Sequence, residues 1–428
     1  MRIRSALVVV ALVGCRTAAF AECEAVSPEA LNTLEANLAQ SQSALAATPE
    51  AGRDKPGYRV LQERALLELE QVQCKRESSA PTEAVKRGPG VATNFAAIPV
   101  LFVTDRAPVE PPPDAAGFFG AQRRTAGVAY GRVVVRMPAE NYVSGAAAPK
   151  GITLSTEEGS STGISVAMPQ LMDADAFSAE IAKYKSGLPA GAPVRVLLFV
   201  HGFNVSYKDS VQAAARLAWG VRFDALPIAI SWPSQAKVLR YWQDEQSIEP
   251  STERLRPIVQ KILSHPQIDE VIVVAHSMGT RLTTRLLSQL DLAKASIPKL
   301  TRVVFAAADL NEEEINELWP RIQSLPKKGW TFYTSGNDYA LLASDIVHAR
   351  PPVGDSRDRV FTAKPGDTVD ASAIAPALKG YGHSYVVDNP HLHVDLRRWA
   401  LDGLAVADRG LKAGDRPPAM FWVLPKKP

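Results

Sequence analysis

Residues 271–282 read VIVVAHSMGTRL, and this stretch is the strongest indicator of the fold. The apolar, β-branched run Val271–Ala275 predicts a buried strand, and the residues after Gly279 predict an amphipathic helix. Ser277 lies between them, with a small residue two positions before it and another two positions after it. A sharp strand-to-helix turn strains its serine and brings backbones together, so it requires small neighbours. The stretch therefore predicts a nucleophile elbow at Ser277.

A second strand-and-turn pattern lies upstream, where residues 194–204 read VRVLLFVHGFN. In enzymes with such an elbow, the loop after this earlier strand offers one backbone N–H to an oxyanion, and the residue after the nucleophile offers a second. We therefore expect Phe203 and Met278 to be these donors, with Gly202 allowing a close approach. Both turns would lie at the carboxyl ends of parallel strands, where open α/β sheets bind ligands.

Strands and helices alternate from Val194 onward. The sequence predicts strands at 98–104, 131–137, 194–200, 226–231, 271–275, 302–306, 330–334 and 367–371, and helices at 173–185, 252–263, 280–290, 312–323 and from about 391. Such alternation predicts an α/β fold with a mostly parallel sheet and helices on both faces.

The chain has 428 residues, which favours one large and one small domain. A net charge of +3, from 48 basic and 45 acidic residues, gives no reason to expect a nucleic acid or an anionic membrane surface as partner. We assign a small helical unit to 22–76, a polar linker rich in Gly, Pro, Ser and Thr to 77–95, and the main domain to 96–428.

The N-terminus predicts a secretory signal peptide at 1–21. Two arginines precede the apolar stretch Ala6–Gly14, which is too short to span a bilayer, and Ala19–Ala21 forms a small-x-small cleavage site. This favours a periplasmic or secreted bacterial protein. Alternatively, Leu12–Cys15 is a lipobox, and lipidated Cys15 anchors an envelope lipoprotein to the membrane.

The segment 22–76 predicts an antiparallel helical hairpin whose first helix begins at Ser27-Pro28. The hairpin would bring Cys23 beside Cys74, and an oxidising compartment would join them in a disulfide. Closing a loop of about 50 residues contributes roughly 4 kcal/mol on the chain-entropy model. The alternative is two unpaired thiols.

A base for the serine should follow it in the chain. Four histidines do so, namely His348, His383, His391 and His393. We favour His383, because it lies in the small-residue loop 382–385 between the last predicted strand and the final helix.

An acid that orients this base should end a strand between the serine and the histidine. The candidates are Asp338, after the strand 330–334, and Asp309, after the strand 302–306. We favour Asp338, because the later position is the commoner one, and assign Asp309 as the N-cap of the helix that follows it.

Several motifs together resemble the bacterial α/β-hydrolase family once catalogued as domain of unknown function 900 and grouped with esterases and lipases. They are FVTDR at 102–106, YG at 130–131, HGFN at 201–204, SWPS at 231–234, AHSMG at 275–279, ND at 337–338 and GHSY at 382–385. The resemblance implies a triad of Ser277, Asp338 and His383, and it implies no particular substrate. The hairpin at 22–76 has no counterpart in the family pattern.

These features predict a serine hydrolase that acts on a small-molecule ester through an acyl-enzyme. The preference for an ester rests on the family analogy alone. The sequence has no His-Glu-x-x-His or Cys-x-x-Cys pattern, so we expect no metal and no cofactor. The alternative is a non-catalytic envelope module that kept the hydrolase fold. The oligomeric state stays open.

Overall fold

The computed structural model describes residues 27–49, 53, 56–79, 93–139, 152–157, 163–222, 224–290, 299–338, 340–348, 350–374, 383–415 and 420–426. The expected signal peptide, Cys15 and Cys23 lie outside these residues. The location of the protein and the pairing of Cys23 with Cys74 therefore stay predictions.

The strands follow the expected order along the chain. They are β1 (Thr93–Thr104), β2 (Arg106–Pro108), β3 (Phe119–Arg123), β4 (Ala129–Pro138), β5 (Thr153–Glu157), β6 (Ser165–Val166), β7 (Gln170–Met172), β8 (Arg195–Val200), β9 (Ala225–Ser231), β10 (Glu270–His276), β11 (Leu300–Ala306), β12 (Trp330–Thr334), β13 (Asp367–Asp370), β14 (Lys412–Ala413) and β15 (Trp422–Val423).

Thirteen of these described strands form one sheet, in the order β14-β15-β13-β12-β11-β10-β8-β9-β1-β4-β6, with β5 on β1 and β7 on β4. The eight adjacent strands from β15 to β1 in this order all pair in parallel. β4 and β5 pair antiparallel with β1 at one end, and β2 and β3 form a separate pair. The predicted mostly parallel sheet is confirmed.

The helices are α1 (Pro28–Ala46), α2 (Pro56–Ser79), α3 (Ala174–Ser186), α4 (Tyr207–Val221), α5 (Tyr241–Leu263), α6 (Gly279–Ser288), α7 (Glu312–Ile322), α8 (Leu341–His348), α9 (Tyr385–Asp388) and α10 (Pro390–Ala400). They cover both faces of the sheet, since Leu198 of β8 joins one buried apolar cluster and its neighbour Phe199 joins the other. None of the described helices is both long and apolar enough to span a membrane.

The N-terminal helical pair belongs to one of these clusters. Ser27 caps α1, as predicted, by accepting a hydrogen bond from the backbone N–H of Ala30 at 3.3 Å. α1 and α2 pack against each other, and Leu38 of α1 and Leu69 of α2 are buried in the cluster that also contains Leu342 of α8. The helical hairpin, α1 and α2, is therefore docked on the main domain.

The helices α4, α8 and α9 were not predicted, and three further differences affect how the chain is divided into elements. α5 begins at Tyr241 and not at 252, because it tolerates Pro250 inside the helix, a residue that usually marks a helix start or break. β13 is not the last strand, since β15 pairs with it in parallel. α2 continues to Ser79 and β1 begins at Thr93, so the expected linker at 77–95 overlaps both elements, and residues 80–92 lie outside the described part.

Candidate active site

Ser277 sits at a strained turn between β10 and α6. Its φ angle is 53°, in the left-handed region that is costly for a residue with a side chain. The turn is held from both sides, because the Ser277 N–H donates to the Ala306 carbonyl at 3.0 Å and the Ser277 carbonyl accepts from the Asp309 N–H at 3.3 Å. The predicted strand-turn-helix context of the serine is present.

Two glycines allow the loop after β8 to lie against this turn. A Cβ on Gly202 would lie 2.4 Å from Cβ of Ser277 and 3.1 Å from its Oγ, and a Cβ on Gly279 would lie 2.4 Å from the His201 carbonyl oxygen. No side chain fits at either position. The backbone after β8 is therefore in direct contact with the serine.

The residues predicted to donate to the oxyanion come directly after the two residues that form this contact. Phe203 is the residue after Gly202, Met278 is the residue after Ser277, and both are buried. Neither of their backbone N–H groups donates a hydrogen bond to another described residue. Both donors are thus available beside the serine.

His383 and Asp338 form a buried pair. Nδ1 of His383 lies 2.8 Å from each carboxylate oxygen of Asp338. Burial raises the pKa of Asp338, and the charge of His383 opposes this rise. Nε2 of His383 is buried and has no hydrogen-bond partner among the described residues, so it makes no bond to Ser277 here. Catalytic hydrogen bonds of this kind often form only when a substrate binds.

His276 links the serine turn to His383. Its Nε2 lies 2.9 Å from the carbonyl oxygen of His383, and the two rings are 4.3 Å apart. Burial, followed by the charge of His383, lowers the pKa of His276 well below its usual value, so the ring is neutral and donates this bond. Sequence reasoning assigned this residue no role beyond its place in the turn.

We call residues 201–206 the oxyanion loop, after the predicted donor Phe203, and Trp232 fixes this loop before Phe203. The indole N–H donates to the His201 carbonyl at 2.8 Å, and the two rings stack 5.0 Å apart. Burial and the nearby charge of Arg106 lower the pKa of His201 to about 3. Nδ1 and Nε2 of His201 both face carbonyl oxygens, and a neutral ring donates to only one of them.

The same loop is fixed after Phe203 by the buried guanidinium of Arg106. It donates to the carbonyl oxygens of Val205 at 2.7 Å and Ser234 at 3.0 Å. A third bond reaches the hydroxyl of Ser231 at 3.0 Å. Arg106 is only 1% exposed, and this burial lowers its pKa to about 10.

Asp244 of α5 also fixes the oxyanion loop. Its carboxylate accepts from the backbone N–H of Asn204 at 3.3 Å and from the hydroxyl of Ser234, which in turn accepts from the Val205 N–H at 3.0 Å. Burial raises the pKa of Asp244 to about 6. We call Arg106, Trp232, Ser234 and Asp244 the oxyanion-loop clamp.

Sequence reasoning missed the clamp. Arg106, Trp232 and Ser234 lie in the motifs FVTDR and SWPS, which carried the family resemblance without a role. A charged residue two positions after a buried strand was the available signal for Arg106. Asp244 has no such signal, because it lies among polar residues of a helix whose start was misplaced.

The assignment of Asp309 as an N-cap is wrong. Asn311 caps α7, since its side chain accepts from the Glu314 N–H at 2.7 Å. The Asp309 carboxylate instead accepts from the Tyr241 hydroxyl at 2.8 Å and pairs with Arg281 of α6 at 3.3 Å. Asp309 follows β11, whose end lies beside the serine turn, so its carboxylate reaches Arg281 on the helix that follows Ser277. Asp309 therefore supports the serine turn.

The other candidate histidines lie elsewhere. His348 pairs with Glu245 at 3.1 Å. His391 lies in the first turn of α10, as its sequence context predicted, and His393 is buried 3.1 Å from the Val386 carbonyl oxygen. Among the described residues, no group of three or more His, Cys, Asp or Glu side chains is arranged to hold a metal.

A cavity of about 280 Å³ lies between the hairpin and the acid. It is lined by Glu35, Leu38, Ala39, Gln42, Val72, Gly336, Asp338, Leu342 and Arg357. The cavity borders Asp338 on the side of α1, and neither Ser277 nor His383 belongs to its walls.

Comparison with known proteins supplies a family and no activity. Residues 177–394, just over half of the chain, match the family described as an alpha/beta hydrolase of unknown function (DUF900). An uncharacterized protein of Nostoc sp. (strain PCC 7120) is 32% identical over 119 residues, which are 28% of this chain and 27% of that protein. The chain thus spans about a quarter of this relative's length.

Proposed function

Because the chain belongs to the alpha/beta hydrolase family of unknown function, we propose that it is a serine hydrolase that cleaves carboxylic esters through Ser277, His383 and Asp338. One observation carries the proposal. Ser277 is held at a left-handed turn with the Gly202 backbone against it, and the N–H groups of the residues after Gly202 and after Ser277 bond no other described residue. The buried His383–Asp338 pair supports it further.

The first step transfers the acyl group to the enzyme. Nε2 of His383 takes the proton of Ser277 as the oxygen attacks the ester carbonyl carbon. The N–H groups of Phe203 and Met278 bind the oxyanion that forms. The ester C–O bond then breaks, and the alcohol leaves with the proton from His383. Asp338 keeps the other imidazole proton on Nδ1 throughout.

The second step releases the acid. His383 takes a proton from water, the water oxygen attacks the acyl carbon, and the bond to Ser277 breaks as the proton returns to the serine oxygen. The choice of an ester over an amide is supported by the family resemblance alone.

The test is labelling by a fluorophosphonate together with hydrolysis of p-nitrophenyl esters of graded chain length. Wild-type protein should be labelled and should turn over, and Ser277→Ala should lose labelling and at least about 10³-fold in kcat. Ser264→Ala is the matched control, because Ser264 is exposed at the end of α5. A folded wild-type protein that neither labels nor turns over would contradict the proposal and favour a binding module.

A further inference from the structure

The helix that follows the acid is held at both ends. At its N-terminus, Oδ1 of Asp338 accepts from the backbone N–H groups of Ala340 at 3.2 Å and Leu341 at 3.3 Å. At its C-terminus, Nε2 of Gln62 donates to the carbonyl oxygens of Ile346 at 3.1 Å and Val347 at 2.8 Å. These are the backbone groups that a helix leaves unpaired at its ends.

Gln62 belongs to α2 of the helical hairpin, outside the residues that match the family. Its side chain is 5% exposed, so the amide is committed to α8 and not to solvent. α2 also packs along α8, where Leu69 and Ile346 share the apolar cluster. The hairpin is thus attached to α8 by both apolar contact and directed hydrogen bonds.

The other side of the acid is open. The segment that carries Gly336 and Asp338 faces the cavity of about 280 Å³, so close-packed side chains do not fix it from the direction of α1. The Gly336 N–H and the Asn337 amide bond Ser372 at 2.7 and 2.8 Å. Beyond these two bonds, the position of Asp338 depends on α8, whose far end Gln62 holds. A small displacement of α8 would move the Asp338 carboxylate relative to His383.

We propose that the helical hairpin is a positioning element of the active site, in which Gln62 fixes α8 and, through α8, the Asp338 carboxylate against His383. The inference rests on the proposed serine hydrolase function. Gln62 touches neither substrate nor the reacting atoms. Misplacing a catalytic group by about 1 Å costs up to roughly 10²-fold in rate.

The experiment compares Gln62→Met with Gln71→Met in the full chain. Methionine keeps the length of Gln62 and removes its donor, and Gln71 is an exposed glutamine on the same helix. Gln62→Met should lower kcat for a p-nitrophenyl ester by roughly 10- to 100-fold with little change in KM. Gln71→Met should match the wild type.

The second readout is the downfield proton resonance of Nδ1–H in His383, assigned by its loss in Asp338→Ala. Gln62→Met should shift or broaden this resonance, and Gln71→Met should leave it in place. Gln62→Asn, which retracts the amide by one methylene, tests the same contact with a polar side chain if Gln62→Met does not fold. It should give a smaller change in the same direction.

Wild-type kcat and an unmoved resonance in Gln62→Met would overturn the inference. So would a fall in kcat that only tracks the unfolded fraction while the resonance of the folded fraction stays unchanged. The resonance does not depend on turnover. Failure of the proposed function would instead appear as wild-type protein that does not label at Ser277.

Discussion

The serine side and the acid side of the site are fixed in different ways. On the serine side, the oxyanion-loop clamp holds residues 201–206, and it contains two buried charged residues, Arg106 and Asp244. On the acid side, Asp338 borders a cavity, and one neutral amide, Gln62, holds the helix behind it. One side is fixed by a dense polar network, and the other by a helix attached at its far end and by two hydrogen bonds to Ser372.

The two sides should therefore respond differently to substitutions. Buried polar networks are strong when every member is paired, and removing one member strands the others in a low-dielectric interior. A segment beside a cavity loses less free energy when its neighbours change, because there is room for them to adjust. We therefore expect changes on the serine side to cost stability and changes on the acid side to cost mainly rate.

Arg106→Met should give the largest effect on stability. It leaves the carbonyls of Val205 and Ser234 and the carboxylate of Asp244 without their cationic neighbour, so the free energy of unfolding in urea should fall by about 3–5 kcal/mol. The control is Arg359→Met, whose side chain is 62% exposed, and the loss there should stay below about 1 kcal/mol. Equal losses would mean that Arg106 contributes no more to stability than an exposed ion pair, and that the clamp does not fix the serine side.

Asp244→Asn should change how the free energy of unfolding depends on pH, because Asp244 is a buried carboxyl group. Because burial raises the pKa of Asp244 from 3.8 to about 6, the folded protein holds a proton between these values that the unfolded chain has released. The contribution of this carboxyl to stability is therefore full below pH 4 and is lost as pH rises through 6. Asparagine does not titrate, so the unfolding free energy of wild type relative to Asp244→Asn should fall by about 3 kcal/mol from pH 4 to 7.

Urea unfolding of both proteins at several pH values measures this difference. The buried histidines, whose protonation destabilises the fold in acid, are present in both proteins and cancel. A difference that stays flat, or that grows with pH, would mean that Arg106 holds the carboxylate charged and that burial does not dominate.

Ala215→Leu and Ala39→Leu compare packing on the two sides, with the smallest expected effect. Ala215 of α4 is fully buried in the core that supports the oxyanion loop, so the larger side chain should cost about 1–3 kcal/mol. Ala39 lines the cavity beside the acid, so the same change there should stay within about 0.5 kcal/mol. Similar melting temperatures for the two variants would argue that the acid side is as closely packed as the serine side.

The sequence predicted the parts of the site that are encoded locally. The elbow at Ser277 and the glycine at 202 follow from short patterns in which strand, small residue and turn lie within a dozen positions. His383 and Asp338 follow from chain order, and the structure brings them together as a hydrogen-bonded pair. Strand ends were predicted closely where runs of aromatic and β-branched residues end, as in β12 (Trp330–Thr334).

The supporting contacts could not be predicted in this way. Gln62 bonds a carbonyl 284 residues later in the chain, and nothing near Gln62 in the sequence marks this contact. Asp244 was missed because Pro250 made the first half of α5 look non-helical. Local sequence patterns indicate turns and the buried faces of helices and strands. Contacts between side chains on distant elements depend on how the whole sheet packs, so local patterns do not predict them.

The place of β1 in the sheet bears on how the chain acquires its structure during synthesis. β1 lies between β4 and β9, and the Thr104 hydroxyl donates a hydrogen bond to the carbonyl oxygen of Ser231, 127 residues later. The antiparallel partner β4 emerges from the ribosome soon after β1, but the parallel partner emerges much later. Until then residues 101–104 on the other edge of β1, which β5 does not cover, stay open, and open edges are where nascent chains aggregate. The β1–β9 pairing is therefore a slow, long-range closure on which both the clamp and the sheet depend.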